Sequence, residues 1–272
     1  MKLIYILLIG VPLLAACTAT TDTTENYELV WSDEFNSTEL DTSKWDFNTG
    51  TGAEIGLIGW GNNELQYYRE GNNNVSVTDG NLVIEARKEN YSDMEYTSAK
   101  LVTQNKAAWK YGKVEVRAKV PETQGIWPAI WMMPTESAYG NWPRSGEIDL
   151  MELLGHQPDT VYGTAHFGNS FEDRGHFTKA ITLEGGENFS NAFHTYAVEW
   201  KPDTLKWFLD GDQYHTMSSS DIKPYNWPFD KPFYLILNVA VGGNWPGNPD
   251  ETTRLPQQMK VDYVRVYQKA GN

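Results

Sequence analysis

The sequence predicts an all-β fold, a β-sandwich of the jelly-roll kind, and three observations predict it. Many short runs alternate apolar and polar residues with the period of a strand, clusters of Gly, Asn, Asp and Pro separate them, and no stretch keeps a helical period. At 272 residues with no internal repeat and no long linker, the chain fits one large domain with short extensions.

The first residues read as an export signal: Lys2, an apolar run from Leu3 to Leu14, then small residues ending at Cys17. The run is too short for a permanent membrane span. Leu14-Ala15-Ala16-Cys17 resembles the lipobox of bacterial lipoproteins, in which the chain is cut before the cysteine and the thiol is lipidated. Residues 1–16 are then the signal peptide, 17–26 the lipidated Cys17 with a Thr-rich polar tether, and 27–270 the folded domain. That places the domain outside the cytoplasm, anchored at the outer membrane or cell surface. An ordinary cleaved signal with an incidental cysteine is the plainer alternative. Cys17 is the only cysteine, so the mature domain is expected to have no disulfide. In a bacterial chain the Asn-x-Ser triplets at Asn74 and Asn188 read as unmodified.

Strand signals dominate from Asn81 onward. In Lys113 to Val120 the apolar Val114, Val116, Ala118 and Val120 share one face and the charged residues the other, as in a half-buried antiparallel strand. Similar runs are Leu82 to Ala86, His194 to Trp200, Leu205 to Leu209, Phe233 to Val241 and Val261 to Tyr267, with Asp210-Gly211 as a hairpin turn. Any helices are expected to be short and peripheral. Thr49 to Asn74, Pro134 to Arg144 and Gly242 to Thr253 are rich in Gly, Asn, Trp and Tyr and read as long loops able to wall a cleft, or as plain connections carrying a few packed aromatics.

Composition narrows the partners. With 36 Asp and Glu against 22 Lys and Arg, the chain lacks the basic surface that nucleic acid requires, and a neutral polymer fits better than a heavily sulfated one. A monomer is expected.

The segment Glu147-Ile-Asp-Leu-Met-Glu152 places three carboxylates on one short strand. Regular alternation puts Glu147 and Asp149 on one face and Glu152 on the other; a β-bulge at Leu150 or Met151 would bring all three together. Glu147 and Glu152 would then lie like i and i+4, with Cα atoms ~13 Å apart on a flat strand. Glycoside hydrolysis uses two carboxyl groups, about 5 Å apart for retention and ~6.5 to 9.5 Å for inversion, and two long side chains leaning inward on a concave sheet favour the shorter separation. Asp149 between them makes ionisation of its neighbours costlier and helps keep one glutamate neutral as a general acid. Alternating acids can equally be a solvated strand face. Trp127, Trp131, Trp142 and His166 around the segment favour a sugar-binding cleft, because a pyranose has an apolar face to stack and hydroxyls to bond.

The chain resembles glycoside hydrolase family 16, and within it the bacterial laminarinases. The resemblance rests on Trp31-Ser-Asp-Glu-Phe35, Trp60-Gly-Asn-Asn-Glu-Leu-Gln-Tyr67, Gly125-Ile-Trp-Pro-Ala-Ile-Trp-Met-Met-Pro134, Gly146 to Glu152, Gly163-Thr-Ala-His166, Asn238 to Trp245 and Val261 to Tyr267. It implies a jelly roll with a concave substrate cleft and a retaining double displacement on a β-1,3-glucan, without a catalytic cofactor. Glu147 is then the nucleophile, Glu152 the acid/base and Asp149 an assisting group, with His166 close by. The inserted Met151 matches the bulged form of the motif and departs from the unbulged form of mixed-linkage lichenases.

Trp127 and Trp131 stand at i and i+4 and so share a strand face, which the resemblance assigns to substrate and core packing would explain as well. Asn62, Glu64 and Arg87 are candidate hydroxyl contacts, with Trp142 and Trp245 as walls; Arg87 also has a simple salt-bridge reading. Family members often carry a structural calcium, and the matching oxygen donors are Glu34, the Gly80 carbonyl and Asp262. No His or Cys cluster in the sequence suggests a transition metal. Other readings are the same chemistry on mixed-linkage glucan or a galactan, a non-catalytic β-glucan-binding module and a structural surface lipoprotein. The paired glutamates speak against the binding module, and the aromatic loops against a structural protein.

Overall fold

The structure is a computed structural model that describes residues 26–271, so the expected signal peptide and Cys17 lie outside the described residues. The strands are β1 (Tyr27–Asp33), β2 (Asp46–Phe47), β3 (Gln66–Tyr68), β4 (Val75–Thr78), β5 (Asn81–Tyr91) and β6 (Met94–Ser98). They continue as β7 (Lys100–Val102), β8 (Gly112–Lys119), β9 (Ile126–Pro134), β10 (Glu147–Leu153), β11 (Thr160–Gly168) and β12 (Arg174–Thr182). The last are β13 (His194–Lys201), β14 (Thr204–Leu209), β15 (Asp212–Ser218), β16 (Phe233–Val241) and β17 (Gln257–Lys269). Helical structure among the described residues is two short 3-10 turns, Ala53–Ile55 and Ile58–Gly61. Neither is long and apolar enough to cross a membrane.

Two sheets face each other. One runs β15-β14-β13-β8-β17-β5-β6-β3, with β1 added along β17 and β4 along β5; the other runs β12-β11-β10-β9-β16-β7-β2. Between them lies one apolar core in which Trp45, Trp200, Trp207, Tyr196 and several phenylalanines are fully buried. In β8 the expected alternation is followed, with Val114, Val116 and Ala118 turned inward. At the β14–β15 hairpin Asp210 and Gly211 have φ of 51° and 91°, the pair of left-handed residues that a tight type I′ turn requires.

The seven-stranded sheet uses its two faces differently. Leu235, Leu237, Val239 and Val241 of β16 enter the core, while Tyr234, Ile236, Asn238 and Ala240 floor the opposite, cleft side. Both sets are buried, so β16 reads as a continuous apolar run in the sequence. At the edges of this sheet, β2 is two residues long and β12 is largely exposed. The expected loop from Thr49 to Asn74 contains β3 and both 3-10 turns, whose few residues are too short for a period to show.

On the core face of β11, Gly163 leaves room that a side chain would fill. A Cβ there would meet Tyr214 Oη at 2.4 Å and Trp207 Cδ1 at 2.6 Å. We therefore expect Gly163→Ala to lose about 1 to 3 kcal/mol of stability through overpacking, measured by urea unfolding; an unchanged midpoint would show that the two aromatics can move aside.

Candidate active site

The bulge in β10 assembles the site. Against β11, Asp149 pairs with Thr164 and Glu152 with Tyr162, so Leu150 and Met151 together oppose the single Gly163; against β9 the register slips between Asp149 and Met151. Leu150 and Met151 are both buried in the core, which returns Glu152 to the cleft face with Glu147 and Asp149. A bulge leaves a main-chain group outside the ladder, and here the Asp149 carbonyl accepts a 2.8 Å hydrogen bond from the Trp207 indole of the facing sheet. Gly163 gives that indole its space. Trp207 carries no signal in the sequence beyond being an apolar strand residue.

His166, directly opposite Glu147 on β11, holds the acids together. Its Nε2 lies 3.3 Å from Asp149 Oδ2 and 3.6 Å from Glu147 Oε1. Burial alone would lower the imidazole's pKa, but the bond to Asp149 and the charges of the three acids outweigh it and raise it to about 10. Ligand atoms of Glu147, Asp149 and His166 fall within 4.8 Å of one another, a metal-like spacing that the sequence separation concealed. With its pKa raised in this way the imidazole carries a proton and donates to the acids, and the trio forms an acid–imidazolium cluster.

The two glutamates differ in what surrounds them. Burial and the Asp149 charge raise Glu147, to about 7, against the lowering influence of His166, Lys100 and Trp142. The Trp142 indole N–H is buried near Glu147 and closes no full hydrogen bond of its own among the described residues. Glu152 is raised well above the usual carboxylate range, again by burial and Asp149, with Glu147 adding to the effect. It accepts a 3.2 Å bond from Trp127 Nε1. Glu152 therefore keeps its proton longer, and Glu147, with two cations near it, is the first to ionise.

Aromatic side chains wall the cleft. Beside Glu152, Trp245 packs edge-on against Trp127 and Tyr162 and remains 40% exposed. Beside His166 stand Trp142, His176 and, further out, Phe171. On the β16 side, Trp131 donates to Asn238, Asn238 to the Tyr68 hydroxyl, and Tyr68 to Glu64, at 2.7, 3.0 and 3.2 Å. Glu64 also accepts from Asn62 and Gln66 and is thereby a buried anchor. Lys100 of β7 projects into this corner over the rings of Trp60 and Trp131.

The structure thus brings together Glu147, Asp149, Glu152, His166, Trp127, Trp131, Trp142, Trp245, Asn62 and Glu64. Arg87 is not among them: it shares a face of β5 with Glu85 and pairs with that carboxylate, so the salt-bridge reading replaces the hydroxyl contact. The calcium donors do not fit an ion as they are arranged. Glu34 takes both of its oxygens to Arg265, at 3.0 and 2.7 Å, which lowers its pKa, and Asp262 pairs with Arg117, so both carboxylates are spent on guanidinium groups. Nothing of the described structure ties Gly80 to either. Lys100, Asn238, Tyr68, Trp60, Tyr162, Phe171 and Trp207 are the neighbours that sequence reasoning did not single out.

The family model for glycosyl hydrolases family 16 matches residues 62–265. The chain is 44% identical over 266 residues to a beta-glucanase of Rhodothermus marinus, covering 91% of this chain and 87% of that protein. It is 43% identical over 257 residues to glucan endo-1,3-beta-glucosidase A1 of Niallia circulans, covering 89% of this chain and 38% of that longer protein. The crystal structure of the laminarinase catalytic domain of Thermotoga maritima superposes with a TM-score of 0.86 at 47% identity, over 91% of this chain and all of that one.

Trp207→Phe keeps one six-membered ring but removes the pyrrole half with its donor, leaving the Asp149 carbonyl buried and unpaired beside a small cavity, at a cost of about 1 to 3 kcal/mol for the lost bond and more for the cavity. We expect hydrolytic rate to fall more than the folded fraction does at the same temperature; equal losses, by circular dichroism and initial rate, would mean that the bond supports stability alone.

Proposed function

This chain belongs to glycosyl hydrolase family 16, and we propose that it is an endo-β-1,3-glucanase that cuts laminarin-like β-glucans with retention of configuration. The observation that carries this reading is the pair of partly buried glutamates on one face of β10, made co-facial by the bulge and unequal in their hold on a proton. The names of the most similar relatives supply the substrate class.

The geometry supports a double displacement. An oxygen of ionised Glu147 attacks the anomeric carbon and forms a glycosyl-enzyme ester, while the bond to the leaving glucosyl oxygen breaks. Glu152 gives that oxygen its proton. The Glu152 carboxylate then takes a proton from water, whose oxygen attacks the same carbon, frees Glu147 and restores the original configuration. Asp149 raises both glutamates and, with His166, holds the nucleophile's surroundings fixed. Trp127 orients Glu152 through its indole N–H. Carboxyl groups and water account for every bond made and broken.

We also propose that the enzyme is exported and lipid-anchored through Cys17, on the support of Lys2, the short apolar run and Leu14-Ala15-Ala16-Cys17. Cys17→Ala expressed with the native signal should move from the membrane pellet to the soluble fraction; a wild-type protein already soluble after fractionation would sink the anchor.

Reducing-end release from laminarin, mixed-linkage glucan, agarose and carrageenan tests the substrate. Laminarin should be fastest; a faster galactan would keep the carboxylate chemistry and move the substrate. On the preferred polymer, Glu147→Ser should lower kcat by at least ~10³-fold while oligosaccharide binding persists, and Glu152→Gln by about 10² to 10⁴-fold. Glu152→Gln should spare the first step on activated aryl glycosides, whose leaving groups need no proton. Near wild-type rates in either variant would remove that residue from its role.

A further inference from the structure

Lys100 is a buried cation without an acid partner. It is 7% exposed, on a three-residue strand where it sits opposite Asn238. Its ammonium lies 4.2 Å from the centre of the Trp60 ring and 4.7 Å from that of Trp131. Among the described residues it closes no hydrogen bond and no ion pair within 4.0 Å. Burying an unpaired ammonium is costly, and two indole faces return only part of the lost hydration. The ammonium's three N–H donors close no bond within the described protein and are available to hydroxyl oxygens in the cleft corner.

The surrounding groups fix where those donors aim. Asn238, Tyr68 and Glu64 are tied to one another and to Trp131, so their acceptors are already engaged and Trp131 is held still. Lys100 Nζ lies over one face of the Trp131 ring, so a sugar bound in this corner comes within reach of the ammonium. β7 lies three strands from β10, ~14 Å away at the usual strand spacing, and the lysine reaches back from the β16 side far enough for its charge to act on Glu147.

We propose that Lys100 is a substrate-binding and specificity residue, its ammonium donating to hydroxyl oxygens of a glucosyl unit on the β16 side of Glu147. The inference rests on the glucanase reading above. Burial lowers the ammonium's pKa to about 8 against the raising influence of Glu64 and Glu147. These acids, with the Tyr68 and Tyr234 phenols on the neighbouring strands, are the titratable groups that face this corner. The charge is thus present below about pH 8 and lost above it, and substrate affinity should follow.

The test is steady-state hydrolysis of laminarin from pH 6 to 9.5 by wild type, Lys100→Met and Lys100→Arg, with melting curves for each. Wild-type KM should rise above about pH 8. Lys100→Met should raise KM about tenfold at pH 7 and lose the alkaline rise in KM, and kcat should fall as well because a charge that favours ionised Glu147 is gone. Lys100→Arg keeps its charge throughout the range, so its KM should stay flat to pH 9.5; if the methionine variant does not fold, this one decides. A wild-type KM profile in Lys100→Met, or an alkaline rise that survives in Lys100→Arg, would overturn the proposal while leaving the glucanase reading intact. A wild-type protein that cuts no β-glucan would overturn both.

Discussion

A single hydrogen bond crosses the sandwich to the catalytic strand, from the Trp207 indole to the Asp149 carbonyl, and the cleft depends on it. Without the extra residue in β10, Glu152 would face the core and the site would hold two acids on one side and a stranded glutamate on the other. Inserting that residue frees a main-chain carbonyl within a dry interior, where an unpaired acceptor is costly. Trp207 repays that cost from the opposite sheet, and Gly163 makes the approach possible by having no side chain. Core packing and catalytic geometry are therefore one problem in this protein, solved by three residues that touch no substrate or stand at its margin.

The electrostatics of the cleft follow from its dryness. Three carboxylates close together would each repel ionisation of the others; His166 as an imidazolium and Lys100 further off supply the opposing charge. Both cations weigh on Glu147, whereas Glu152 has only His166 and one indole N–H against burial and two acids. Two glutamates with the same side chain are thus distinguished by position alone. Asp149, deepest of the three, sets the strength of the whole arrangement because its charge raises both partners.

What the sequence made legible was whatever repeats within a strand. The alternation in β8, the hairpin at Asp210-Gly211 and the need for a bulge in β10 are local, and each could be read from neighbouring residues. The three acids of β10 belonged to that category once the bulge was allowed. Lys100 did not: a lone lysine at the start of a three-residue strand reads as solvated, and only Trp60 and Trp131, brought from separate parts of the chain, cover it. β2, β3 and β7 are too short to show a period, and β16 hides its two roles because both faces are covered. Arg87 and its Glu85 neighbour stand two apart on one strand face, so their pairing was readable, while Arg117 and Arg265 reach Asp262 and Glu34 across strands and were not.

The borders of the cleft sheet bear on how copies of this protein behave together. A repetitive polymer gathers many enzyme molecules along one chain, so the local concentration of sheet margins becomes high. Open margins of that kind template intermolecular strand pairing. Here one margin, β2, is only two residues long, and the other, β12, carries Arg174 and Lys179 in a largely exposed strand. Positive charge along that outer strand makes two such margins repel, so crowding on substrate favours independent molecules over sheet-to-sheet aggregates.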